Sequence, residues 1–101
     1  MTAGRASISS DILARYASDA AREVDGVESL VESHLPRHRG ARVTEQDGAV
    51  RVEVHVAVEW GASIPTVGRA VQKRVREYLG RMADVAPASV DVVVDEIGSA
   101  A

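Results

Sequence analysis

The chain has no cysteine and no phenylalanine, one tryptophan, two tyrosines and three prolines. Without cysteine it can form no disulfide, thiolate zinc site or iron–sulfur cluster, and it has no thiol nucleophile. No apolar run approaches the roughly 20 residues of a membrane-spanning helix; strictly apolar stretches such as Val92-Val93-Val94 are short. The opening Met1-Thr2-Ala3-Gly4-Arg5 lacks a secretory hydrophobic segment, so the expected location is the cytoplasm. An excess of cations is missing too: 12 basic against 15 acidic residues give a formal charge of −3. Such a chain does not coat nucleic acid through net charge, although a local basic patch stays open.

What is present is a valine- and alanine-rich chain, 46% apolar over 101 residues, which excludes wholesale disorder. Its 10.7 kDa suffice for a single domain with a thin core. The expected ordered core runs from about residue 8 to residue 97, between frayed ends.

Ile12, Leu13, Tyr16, Ala17, Ala20, Ala21 and Val24 recur at helical spacing, with Asp11, Arg15, Asp19 and Arg22 on the opposite face. This predicts an amphipathic helix over Ser10–Glu23, capped by Ser9 or Ser10 and stopped at Asp25-Gly26. A short strand is expected around Glu28–Val31, followed by the basic, turn-rich connection His34-Leu35-Pro36-Arg37-His38-Arg39-Gly40.

From Ala41 the period becomes two. Ala41–Thr44 reads as a strand and Gln46-Asp47-Gly48 as a hairpin turn. Val50, Val52, Val54, Val56 and Val58 then alternate with Arg51, Glu53, His55, Ala57 and Glu59. That pattern predicts a strand with one buried and one wet face. Ser63-Ile64-Pro65 opens a second helix, with Ser63 as N-cap, running to about Met82. A loop from Asp84 leads to a last strand over Val90–Ile97.

Two helices with one greasy stripe each and a sheet with one greasy face satisfy each other in an α+β two-layer sandwich. The helices are expected on one face of a small mixed or antiparallel sheet of three to four strands. The other face, with Arg51, Glu53, His55, Glu59, Asp91 and Asp95, is expected to meet water.

Chemistry-bearing motifs are scarce. His34 and His38 stand four apart, but Pro36 interrupts any helix between them and no nearby ligand completes a metal site, so both read as surface histidines. His55, on the polar strand face, reads as solvated, since general-base work would need a cleft and a neighbouring nucleophile. No serine sits in a nucleophile elbow, and Gly61 and Gly68 lack the lysine of a phosphate loop. No catalytic residue, cofactor site or metal site is therefore assigned.

Surface charge is the remaining signal. Arg69, Lys73 and Arg76 fall on one stripe of the second helix, and Arg74 and Arg81 on another. The ordinary reading is a solvated helix face; the functional one is a contact surface for a protein partner. A nucleic-acid-binding module, using this helix with Arg37, Arg39 and Arg42, is the alternative, but it lacks an aromatic stacking platform. Trp60 has the parity of the buried valines, which predicts that it closes one end of the core; otherwise it is a contact anchor. The candidate contact residues are Arg69, Lys73, Arg76, Trp60, Ile64 and Pro65.

Three segments together resemble the alkaline-shock-protein family. They are Ala20-Ala21-Arg22-Glu23-Val24-Asp25-Gly26-Val27, then Glu59-Trp60-Gly61-Ala62-Ser63-Ile64-Pro65-Thr66-Val67, and Val71-Gln72-Lys73-Arg74-Val75 leading to Val90-Asp91-Val92-Val93-Val94. The resemblance spans about Ile8 to Ile97. Thr66 stands where the family commonly has an acid, and Gly68 where alanine is commoner, a cost of about 1 kcal/mol in helix propensity. The chain also ends without the extension of longer members. The resemblance implies a non-enzymatic cytoplasmic protein of the Gram-positive envelope stress response. Such a protein acts by contact, self-associates as a homo-oligomer, or is brought to the membrane by a small membrane-embedded partner.

Overall fold

The computed structural model describes residues 8–31 and 40–99. Helix α1 spans Ser10–Arg22; its N-cap is Ser9, whose hydroxyl accepts from the Ile12 amide at 3.2 Å. Asp11 in the first turn and Arg22 in the last complement the helix dipole. The chain then turns through Gly26, whose φ of +94° and whose approach to Val67 leave no room for a side chain.

Strand β1 (Val27–Leu30) pairs antiparallel with β3 (Ala49–Val58), as does β2 (Ala41–Gln46). Both lie on one edge of β3, end to end: Val27 and Leu30 face Val58 and Val56, and Ala41 faces Val54. The backbone of His55 joins them, its carbonyl accepting from Val31 at 2.9 Å and its amide donating to Gly40 at 2.8 Å. The hairpin closes through Asp47-Gly48, both at positive φ (53° and 80°), as the twist of a two-residue hairpin requires.

Helix α2 (Ile64–Ala83) carries the chain from β3 to β4 (Ser89–Ile97), which runs parallel to β3 on its free edge. The sheet is therefore mixed, and every pairing in it involves β3. The α+β expectation holds. The parallel pairing of the last strand is what the sequence pattern left open.

Both helices cover the valine face. Val52, Val54, Val56 and Val58 are buried there, with Ala41, Val43 and Val90 from neighbouring strands, Leu13, Ala17, Ala20 and Ala21 from α1, and Val67, Val71, Val75 and Leu79 from α2. Val50, beside the hairpin turn, is half-buried. The helices run antiparallel: Tyr16 meets Tyr78 edge-on at 5.8 Å, and Glu23, the C-cap of α1, pairs with Arg74 at 3.0 Å.

The outer face of the sheet is not uniformly wet. Arg51, Glu59, Asp91 and Asp95 are exposed, but Glu53 and His55 are half-buried and Ala57 is buried.

A candidate partner-binding surface

Five cations project from α2, and the fold gives three of them work within the chain. Arg74 pairs with Glu23, Arg81 lies over the Tyr78 ring at 5.4 Å, and Arg76 donates to the Pro87 carbonyl at 2.8 Å. Arg76 thus pins the loop before β4, beside Gln72, which donates to the Val90 carbonyl at 3.0 Å. Only Arg69 and Lys73 of the expected stripe are exposed with no ion pair or hydrogen bond among the described residues.

Trp60 corrects the expectation of a core plug. It is 65% exposed. Parity holds only while a strand lasts, and β3 ends at Val58; Glu59 already donates its amide to the Gly26 carbonyl, and Trp60 stands in the turn beyond. Ile64 and Pro65, at the start of α2, are exposed beside it in sequence, Ile64 by 41%. Ser63 caps that helix by accepting from the Thr66 amide, and Pro65 occupies the first turn, where no amide partner is lost. Trp60, in the turn before α2, and Ile64 and Pro65, in its first turn, are all exposed. Arg69 and Lys73 lie further along its outer side, and Arg76 faces the loop before β4.

One constellation escaped the sequence reading. His55 is not simply solvated: its Nε2 lies 2.5 Å from Glu53 Oε2 and its Nδ1 2.7 Å from Asp95 Oδ2. An ionised carboxylate only accepts, so two such partners favour the protonated ring, in which both nitrogens donate. The hydrogen bond to Glu53 raises its pKa above the ordinary 6.5; burial opposes this, and Asp95 adds to the rise. Glu53, two residues away on the same strand face, is visible in the sequence. Asp95, forty residues on, is brought in by the parallel register of β4 and by the shift at Val56/Ala57. The two ring nitrogens point at different carboxylates, and no group of metal-ligating side chains occurs among the described residues. His34 and His38 lie outside the described residues.

The family model for the alkaline shock protein 23 family, described as having a cell envelope-related function, matches residues 1–99. The chain belongs to that family. Among its relatives, the uncharacterized protein Spy1535 of Streptococcus pyogenes serotype M6 is 31% identical over 102 residues, covering 93% of this chain and 79% of the relative. The uncharacterized protein YqhY of Bacillus subtilis is 27% identical over 99 residues, covering 88% and 73%. Among solved structures, a MamM CTD variant superposes with a TM-score of 0.58 at 12% identity, covering 88% of this chain and 98% of that one. At that identity the likeness concerns the fold alone.

For this family member, the resemblance read from the Gly61-Ala62-Ser63-Ile64-Pro65 junction agrees with the model match. No helix among the described residues is long and apolar enough to cross a membrane.

Proposed function

We propose that this protein is a non-enzymatic contact module of the cell-envelope stress response. It works by protein–protein contact and is recruited to the membrane by a partner. One observation carries the reading: the chain's only tryptophan is 65% exposed at the entrance to α2, with Ile64 exposed beside it in sequence. A large aromatic side chain held outside the core leaves much apolar area in water, and such residues are the usual anchors of interfaces. Arg69 and Lys73, unpaired among the described residues, supply a charged flank. Membership of an envelope-related family supports the cellular setting.

Affinity capture from the native organism, followed by mass spectrometry, tests this. Trp60→Ala is expected to lose the partner that the unaltered chain captures, with the circular-dichroism spectrum unchanged. Arg69→Glu with Lys73→Glu is expected to weaken the same capture. If both variants retain an identical set of captured proteins, the surface is wrong.

A further inference from the structure

The charge around Trp60 is opposite in sign to that of the α2 stripe. Glu28 lies at the irregularity of β1, Glu59 just past the end of β3, and Glu96 near the end of β4, where it faces Ala57. Val27 faces Val58 and Ile97 faces Val58 from the other side, so the three carboxylate-bearing segments reach the same end of the sheet. Gly98 closes the group. Its amide donates to the Val58 carbonyl at 2.7 Å, the Glu28 carboxylate lies against it, and a methyl built on it would stand 3.4 Å from the Trp60 backbone nitrogen.

All three glutamates are exposed and have no ion pair or hydrogen bond among the described residues. At the same end Ile97, although its strand partner Val58 is buried, is 54% exposed, joining Trp60 and Ile64. Along α2, Arg69 stands five residues from Ile64, about 7.5 Å of helix rise, and Lys73 nine residues, about 13 Å.

We propose that this end of the sheet docks a peptide segment carrying lysine or arginine next to apolar side chains. The proposal rests on reading Trp60 as a contact anchor and names the charge of what it anchors. A partner that covers Trp60 at this end also draws water away from the carboxylates beside it, Glu28 against Gly98 and Glu59 next in sequence. Left unpaired they oppose binding, and met by cations they favour it. The indole face attracts the same cations. A second copy docking through this same end brings like charge onto like charge, and an anionic lipid surface does the same.

Trp60 is the only tryptophan, so its emission reports this site directly. The full chain is titrated with a synthetic peptide of alternating lysine and leucine, with the same peptide carrying glutamate for lysine, and with vesicles containing phosphatidylglycerol. The lysine peptide is expected to shift Trp60 emission to the blue and to saturate. Its binding should be at least about ten-fold tighter than that of the glutamate peptide and should weaken as salt rises from about 50 to about 300 mM. Combining Glu28→Gln, Glu59→Gln and Glu96→Gln should erase most of that preference while the circular-dichroism spectrum is kept.

A blue shift with the glutamate peptide or the vesicles but not with the lysine peptide overturns the proposal and leaves Trp60 standing as an anchor. So does equal binding of both peptides, or a preference that survives the triple substitution. Emission indifferent to all three probes overturns the proposal and the anchor reading together.

Discussion

Asp95 accepts a hydrogen bond from His55 Nδ1 at 2.7 Å, joining β4 to β3 side chain to side chain where their register shifts. Glu53 lies against the other ring nitrogen, so protonating the ring strengthens the link on both sides. Because the folded-state pKa lies above the ordinary 6.5, the folded chain binds this proton more tightly than the unfolded chain does. Its contribution is complete below 6.5 and is lost as pH rises through the folded-state value. Thermal midpoints taken upward from pH 6.5 should therefore fall, and His55→Gln should flatten that fall. A midpoint equally flat in both proteins would show that the ring carries no linked proton.

Gly68 and Gly26 should respond to alanine in opposite directions. Gly68 sits inside α2 with open space where a side chain would stand. Gly68→Ala should add about 0.5–1 kcal/mol, a rise of a few degrees in thermal midpoint for a chain this size. Gly26 has φ of +94°, and a methyl there would come within 2.6 Å of Val67 Cγ2. Gly26→Ala should cost about 1–3 kcal/mol, read as a lowered midpoint in urea.

Arg76 should behave as a structural residue and Arg69 as a surface one. Arg76→Ala removes the donor to the Pro87 carbonyl and should cost about 0.5–1.5 kcal/mol in chemical denaturation. Arg69→Ala should change stability by less than about 0.5 kcal/mol. Charge reversal of the whole stripe would therefore mix loss of fold with loss of contact, whereas Arg69 and Lys73 together give a clean readout.

Leu79 is the largest fully buried side chain of α2. Leu79→Ala removes it from beneath the helix pair and should cost about 2–5 kcal/mol, measurable by urea titration.

The valine alternation, the Ser9 and Ser63 caps and the Asp47-Gly48 turn were legible because each is a local rule written within a few residues. Pairing between distant segments was not. Nothing in Val90–Ile97 states that it runs parallel to β3, and without that register Asp95 has no visible relation to His55. Trp60 misled for a related reason: periodicity assigns a face but does not mark where the ladder stops, and the Glu59 amide has already turned to Gly26. Among the α2 cations, spacing groups Arg69, Lys73 and Arg76 on one stripe. Only the folded position of Pro87 shows that Arg76 is occupied.

Strand β3 is the sheet's single spine: among the described residues β1, β2 and β4 each pair with it and with no other strand. Detaching it leaves three ribbons with no mutual ladder, so no sheet survives its loss. The buried amides of β3 should then exchange only through global opening, while β1 or β4 can open singly at a lower free energy.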